Sequence, residues 1–160
     1  MTKEKLTKIF EDLGAANPED WAESEVSEGI PQLARFLFLK GCWSNIVSDT
    51  EPSWIDEIIS RIPEDSNELF AGTAHALRRL LASGANREDI AEVVRGMQAE
   101  LLFHVCYQLA DSDVVEGYDF VKWALMEVGE DEVPSREIAG LHESVLETDP
   151  TKREMRPRKC

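Results

Sequence analysis

The sequence predicts a mainly α-helical fold, a compact multi-helix bundle with a small β-hairpin near residues 118–141. Three observations carry this expectation. Apolar residues recur at three- and four-residue spacing through most of the first 110 residues. Glycines, prolines and short polar side chains fall where helices of ordinary length would begin and end. After Asp111 the pattern changes to β-branched and alternating segments broken by turn residues.

Residues 2–13 read as the first helix, with Leu6, Ile9, Phe10 and Leu13 on one face and Gly14 as a left-handed cap. Asn17, Pro18, Glu19 and Asp20 open the second with a capping side chain, a first-turn proline and acids at the positive dipole end. It turns Trp21, Ala22 and Val26 inward. A third helix should run from Pro31 to about Val47 and present Leu33, Phe36, Leu37, Trp43, Ile46 and Val47; the all-apolar run 36–39 places it centrally, and Gly41 marks a kink or a close crossing. A fourth carries Trp54, Ile55, Ile58, Ile59 and Ile62 and stops at Pro63.

Asp65 with Glu68 resembles a capping box, so an αα-hairpin is expected over about 65–83 and 87–109, joined by residues 83–86. The first arm buries Leu69, Phe70, Ala74, Leu77, Leu80 and Leu81. The second, the longest helix, buries the stripe Ile90, Val93, Val94, Met97, Leu101, Val105 and Leu109. Residues 121–128 and 136–141 form the hairpin strands across a turn at 129–135, and a last short helix covers 141–147.

At 160 residues the chain suits one domain, here 1–150, followed by a basic and disordered tail at 151–160. No apolar run is long enough to span a membrane and the N-terminus lacks an apolar signal core, which places the protein in the cytoplasm. Cys42, Cys106 and Cys160 are odd in number and lack a CxxC pair. They suit reduced thiols, with Cys42 and Cys106 as small core residues.

Charge is the unusual global property: 32 acidic against 17 basic residues give a net charge of -15. The last ten residues hold five of the basic side chains and one acid, so residues 1–150 carry 12 basic and 31 acidic groups, a net of -19. Direct binding of this body to nucleic-acid phosphates or an anionic membrane is disfavoured.

No strong catalytic, nucleotide or metal motif is present. The best constellation is on the longest helix, where Glu100, His104, Gln108 and Asp111 share a stripe on which a carboxylate could orient an imidazole for proton transfer. The bland alternative is a solvated polar stripe. His142, with Glu143 and Glu147 near it, could add a ligand or an acid; His75 lies four residues before Arg79, which discourages its protonation. Arg35 in an apolar segment requires a carboxylate partner, inside the fold or on another protein. Trp21, Trp43, Trp54 and Trp123 are core residues or interface anchors.

These readings predict an acidic intracellular interaction module, an adaptor or inhibitor of the general kind to which immunity proteins belong, binding a basic partner or a second copy of itself. The alternative is a small enzyme or ligand-binding domain that uses Glu100, His104 and His142. Neither needs a cofactor, and no metal site is expected.

Overall fold

The computed structural model describes residues 1–112, 116–117 and 120–158. The chain falls into two compact units, one made of Met1–Asn45 with Glu100–Cys160 and the other of Ile46–Ala99. The expected hairpin start at 118–119 and the tail residues Lys159 and Cys160 lie outside the described residues.

In the first unit, Thr2 caps α1 (Lys3–Leu13) by accepting from the Lys5 amide, and Gly14 closes it at φ 86°. A residue with a Cβ would be strained there. Helix α2 (Pro18–Glu28) begins with proline in its first turn and acids behind it, as expected, but the expected Asn17 side-chain cap is not made; the helix ends at left-handed Gly29. Helix α3 (Gln32–Trp43) follows. The three helices meet through Leu6, Phe10, Trp21, Ala22 and Phe36. Phe36 stands edge-on to both Phe10 and Trp21, with ring centroids 5.6 and 5.2 Å away, the arrangement that aromatic quadrupoles favour.

Three expectations for this region are corrected. Val26 and Leu37 are exposed, so neither helix is apolar-in around its whole width. Helix α3 ends at Trp43 rather than Val47 because the Ser44 hydroxyl and the Asn45 amide both donate to the Gly41 carbonyl, closing the helix with side chains. Gly41 marks no close crossing: a Cβ there would meet open space.

The C-terminal part of the same unit is held to α2 and α3 by two arginines. Buried Arg35 donates to the Gly140 carbonyl and reaches the Glu143 carboxylate at 3.4 Å, so its partner is inside the fold. Gly140 adopts φ 62°, and a Cβ on it would lie 2.9 Å from Glu143 Oε2. Arg136 bridges Glu127 and Glu25, and those hydrogen bonds hold its guanidinium firmly protonated. It sits in the hairpin formed by β1 (Met126–Val128) and β2 (Pro134–Glu137), which are antiparallel with Met126 opposite Glu137. The strands expected over 121–128 and 136–141 are corrected to these shorter ones: β2 begins at Pro134, inside the expected turn, and residues 138–141 lie beyond it. Helix α7, expected over 141–147, covers only Leu141–Ser144, and Trp43 Nε1 donates to the Val145 carbonyl at 2.9 Å just beyond it. Buried Asp149 then accepts from the Thr151 amide and hydroxyl and from the Met155 amide, drawing the start of the basic stretch into turns.

In the second unit α4 (Ser53–Arg61) and α5 (Ala71–Ala82) join the first half of α6 (Arg87–Ala110) around Ile55, Leu77 and Ile90. Consecutive helices α5 and α6 are the expected pair, linked through residues 83–86. The start of α5 is corrected from 65 to Ala71. Phe70 takes φ 67° in place of a helical turn, and Leu69 and Phe70 are both exposed. The preceding segment is pinned in turns instead, because His75 Nε2 meets the Ser66 carbonyl at 2.8 Å and Arg78 donates to the Ile59 and Ile62 carbonyls. Leu80 is exposed as well.

The Asp149 turn yields a measurable expectation. Asp149→Ala strips a buried acceptor from three donors and should lower the unfolding free energy by about 1 to 3 kcal/mol; a loss under about 0.5 kcal/mol in chemical denaturation would show that residues 151–156 do not depend on the carboxylate.

Candidate functional site

Helix α6 carries the residues that the sequence singles out for chemistry, and its rotation decides what they can do. Ala91, Arg95, Ala99 and Cys106 are buried, whereas Val93, Met97 and Leu101 are 65%, 65% and 64% exposed and Val105 is exposed too. The expected core stripe is therefore corrected from Val93 onward: of its large members, Ile90 alone is fully buried, with Val94 half-buried beside it in the same cluster. At 100° per residue, Met97 stands 200° from Arg95. Turning Arg95 inward turns the Val93, Met97 and Leu101 row out.

Glu100, His104 and Gln108 are exposed on this same outward side, interleaved with the apolar row. No hydrogen bond or ion pair joins Glu100 to His104 among the described residues. Asp111 is half-buried past the helix end, its amide bonded to the Tyr107 carbonyl at 2.9 Å. His142 is elsewhere: its half-buried ring meets Tyr107 and Phe103 edge-on, with centroids 5.0 and 5.8 Å apart. Its Nδ1 is buried without a hydrogen-bond partner. Glu143 is engaged by Arg35, and Glu147 is exposed. His75 Nδ1 lies 3.4 Å from Arg78 Nη1 while its Nε2 faces the Ser66 carbonyl at 2.8 Å, so the ring is held between two elements of the second unit.

Among the tryptophans, Trp21 and Trp43 are buried, Trp54 is half-buried, and Trp123 is exposed with its indole bonded to the Gln108 carbonyl at 2.8 Å. Among the described residues no three His, Cys, Asp or Glu side chains converge in a metal-holding group, and no helix is long and apolar enough to cross a membrane. The first unit also has a cavity of about 410 Å³ between Leu13, Phe36, Lys40, Trp43 and Asp149. It contains none of the sequence candidates Glu100, His104 or His142.

Comparison with known protein families, characterised proteins and solved structures returns no match for this chain.

The surface feature that the sequence places in the core is the exposed apolar row itself. Its residues were visible, but large apolar side chains at four-residue spacing read as core. The signal that could have corrected the reading is the second row, Ala91, Arg95, Ala99 and Cys106, at an equally helical spacing.

The two described cysteines are unreactive in kind. Burial raises the thiol pKa of half-buried Cys42, and burial together with neighbouring Cys42 raises that of Cys106 to about 11. An unfolded thiol titrates near about 8.5. Since the folded value is the higher one, the stability contributed by the Cys106 proton is complete below pH ~8.5 and lost as pH rises through the folded pKa. The unfolding free-energy difference between the wild type and Cys106→Ala should accordingly shrink between pH ~8.5 and 11; a difference constant across that window would contradict the assignment.

Proposed function

We propose that this chain is a protein-interaction module, an adaptor or inhibitor, that docks a basic amphipathic segment of a partner on the outer face of α6. The observation that carries this reading is the exposed row Val93, Met97 and Leu101, continued by Val105, on one helix. Isolated surface apolar residues are ordinary, but a row at helical spacing is the counterpart of a helix or groove that closes over it. Removing such surface from water contributes roughly 25 cal/mol per Å² before the costs of association.

Charge selects the occupant. Glu100 lies within the face and Asp89 at its N-terminal end, both exposed, on a chain of net charge -15. A second copy would bring the same charge and be repelled, whereas a basic segment is steered in and its cations meet carboxylates at the rim. The face has room for His104 and Gln108 as polar contacts beside the apolar row.

The enzyme reading has less support. Glu100 and His104 are exposed on α6 without side-chain hydrogen bonds among the described residues, and the His142 ring meets Phe103 and Tyr107 instead.

The probe is an 18-residue peptide of leucine and lysine at helical spacing, titrated against the full chain and against Met97→Glu/Leu101→Glu. Both residues are exposed, so the double variant should melt within a few degrees of the wild type. It adds two negative charges, so a purely electrostatic encounter would strengthen. Docking on the apolar row predicts the opposite, a loss of at least tenfold. Equal or tighter binding by the variant, or a concentration-dependent wild-type dimer that the variant abolishes, would overturn the assignment of this face to a basic partner.

A further inference from the structure

The first unit holds a second recognition feature, separate from the α6 face. It is the cavity of about 410 Å³ between the end of α1, the last turns of α3 and the segment that follows α7. Small-molecule sites occupy about 300 to 1,000 Å³ and are mostly apolar, with a few placed polar groups. At about 30 Å³ for each water-sized group, this one has room for about thirteen or fourteen.

The apolar walls come from Leu13, Ala15, Phe36, Trp43 and Pro150. Two of them are fixed from behind. Phe36 stands edge-on to Phe10 and Trp21, and the Trp43 indole donates to the Val145 carbonyl and to Thr148 Oγ1. A ligand entering such a space orders few side chains, which keeps the entropic cost of binding low.

Most polar groups at the cavity are already committed. Thr148 Oγ1 accepts from Trp43 and donates to the Ser144 carbonyl, and the Ser44 hydroxyl donates to the Gly41 carbonyl. Buried Asp149 accepts from the Thr151 amide and hydroxyl and from the Met155 amide. Two cations differ from these. The exposed Lys40 ammonium donates to the Leu13 carbonyl at 2.8 Å, which holds it at the cavity and leaves two of its three donors open. Exposed Lys152 makes no side-chain hydrogen bond or ion pair among the described residues. On a chain with 32 acids and 17 bases, two lysines beside one apolar cavity thus have no carboxylate partner among the described residues.

These cations set the class of ligand. Exposed Glu147 also lines the cavity, so the exposed charges there, two ammoniums against one carboxylate, leave an excess of one positive charge. A single carboxylate matches that balance, and a phosphate dianion exceeds it. Phosphate sites also draw on the amides of a helix N-terminus, whereas α1 and α3 both reach this cavity at their C-terminal ends. An uncharged apolar molecule would displace water from the ammonium groups without replacing it, and an amine would meet two like charges.

We infer that this cavity binds a small aryl or alkyl carboxylic acid, its apolar body against Leu13, Phe36 and Trp43 and its carboxylate met by Lys40 and Lys152.

The probe is 4-phenylbutyrate, titrated into the isotope-labelled full-length chain while the backbone amide resonances of Gly14 and Ser44 are followed. Both should shift saturably. The amide 4-phenylbutyramide, the same body without the charge, should bind about tenfold more weakly, and acetate, the charge without the body, should give no saturable shift at equal concentration. Lys40→Gln and Lys152→Gln, both at exposed positions, should each weaken the acid about two- to fivefold, and together about tenfold, with the melting temperature within a few degrees of the wild type. Lys5→Gln removes the same charge from α1 outside the cavity and should change the affinity by less than about twofold. Absence of a saturable shift, acetate reproducing it, the amide or 4-phenylbutylamine binding as tightly as the acid, or an unimpaired Lys40→Gln/Lys152→Gln double variant would each overturn the inference. None of these residues lies on α6, so failure here leaves the docking face standing, and failure there leaves this cavity's assignment standing.

Discussion

The Arg95 guanidinium and the Asp49 carboxylate, both buried, set the rotation of α6, and with it every surface that the helix offers. Arg95 Nη1 donates to the Val47 carbonyl at 2.9 Å, and its Nε lies 4.0 Å from Asp49 Oδ2. A buried guanidinium separated from such partners costs several kcal/mol, so these contacts are not exchangeable for solvent. Once Arg95 is inside, the helical repeat places Ala91 and Ala99 inside with it and sends Met97 to the opposite side. The apolar row is thus left exposed by the demands of a charge, against the preference of its own side chains for burial.

The same economy of cations runs through the rest of the chain. Arg35 is committed to Gly140 and Glu143, Arg78 to the carbonyls of Ile59 and Ile62, and Arg136 to Glu25 and Glu127. With several of its 17 basic residues serving as internal staples, the protein has few left to balance 32 acids. The consequence is a surface on which carboxylates such as Asp20, Glu100 and Glu147 have no counter-ion among the described residues, Glu100 next to the exposed apolar row of α6. Long-range attraction and short-range fit then favour the same occupant, a partner that is basic and partly apolar.

Local signals made much of the fold legible. Gly14 ends α1 and Pro18 opens α2, because left-handed glycines and first-turn prolines act within a single turn, whereas Asn17 does not supply the side-chain cap it suggests. The hairpin was readable from its turn residues, though not its length, since its strands are only three and four residues long. What escaped were decisions made by distant partners. Nothing near Asp65 announces that His75 and Arg78 will tie the segment before α5 into turns, and nothing in the spacing of α6 says which of its two rows is inside. Periodicity reports that a face exists; a buried ion pair chose the face. The candidate residues Glu100 and His104 were correctly read as neighbours on one stripe, but their setting in an exposed apolar face depended on that choice.

The rotation of α6 decides which row faces out, and paired substitutions on its two rows measure it directly. Leu101→Ala, on the outward row, should cost less than about 1 kcal/mol in unfolding free energy, while Ala99→Leu, on the buried row, should cost about 1 to 3 kcal/mol by overpacking. A Leu101→Ala loss of about 2 to 5 kcal/mol, the cost of a core cavity, with Ala99→Leu tolerated, would place the large residues inside and remove the surface on which the proposed function rests.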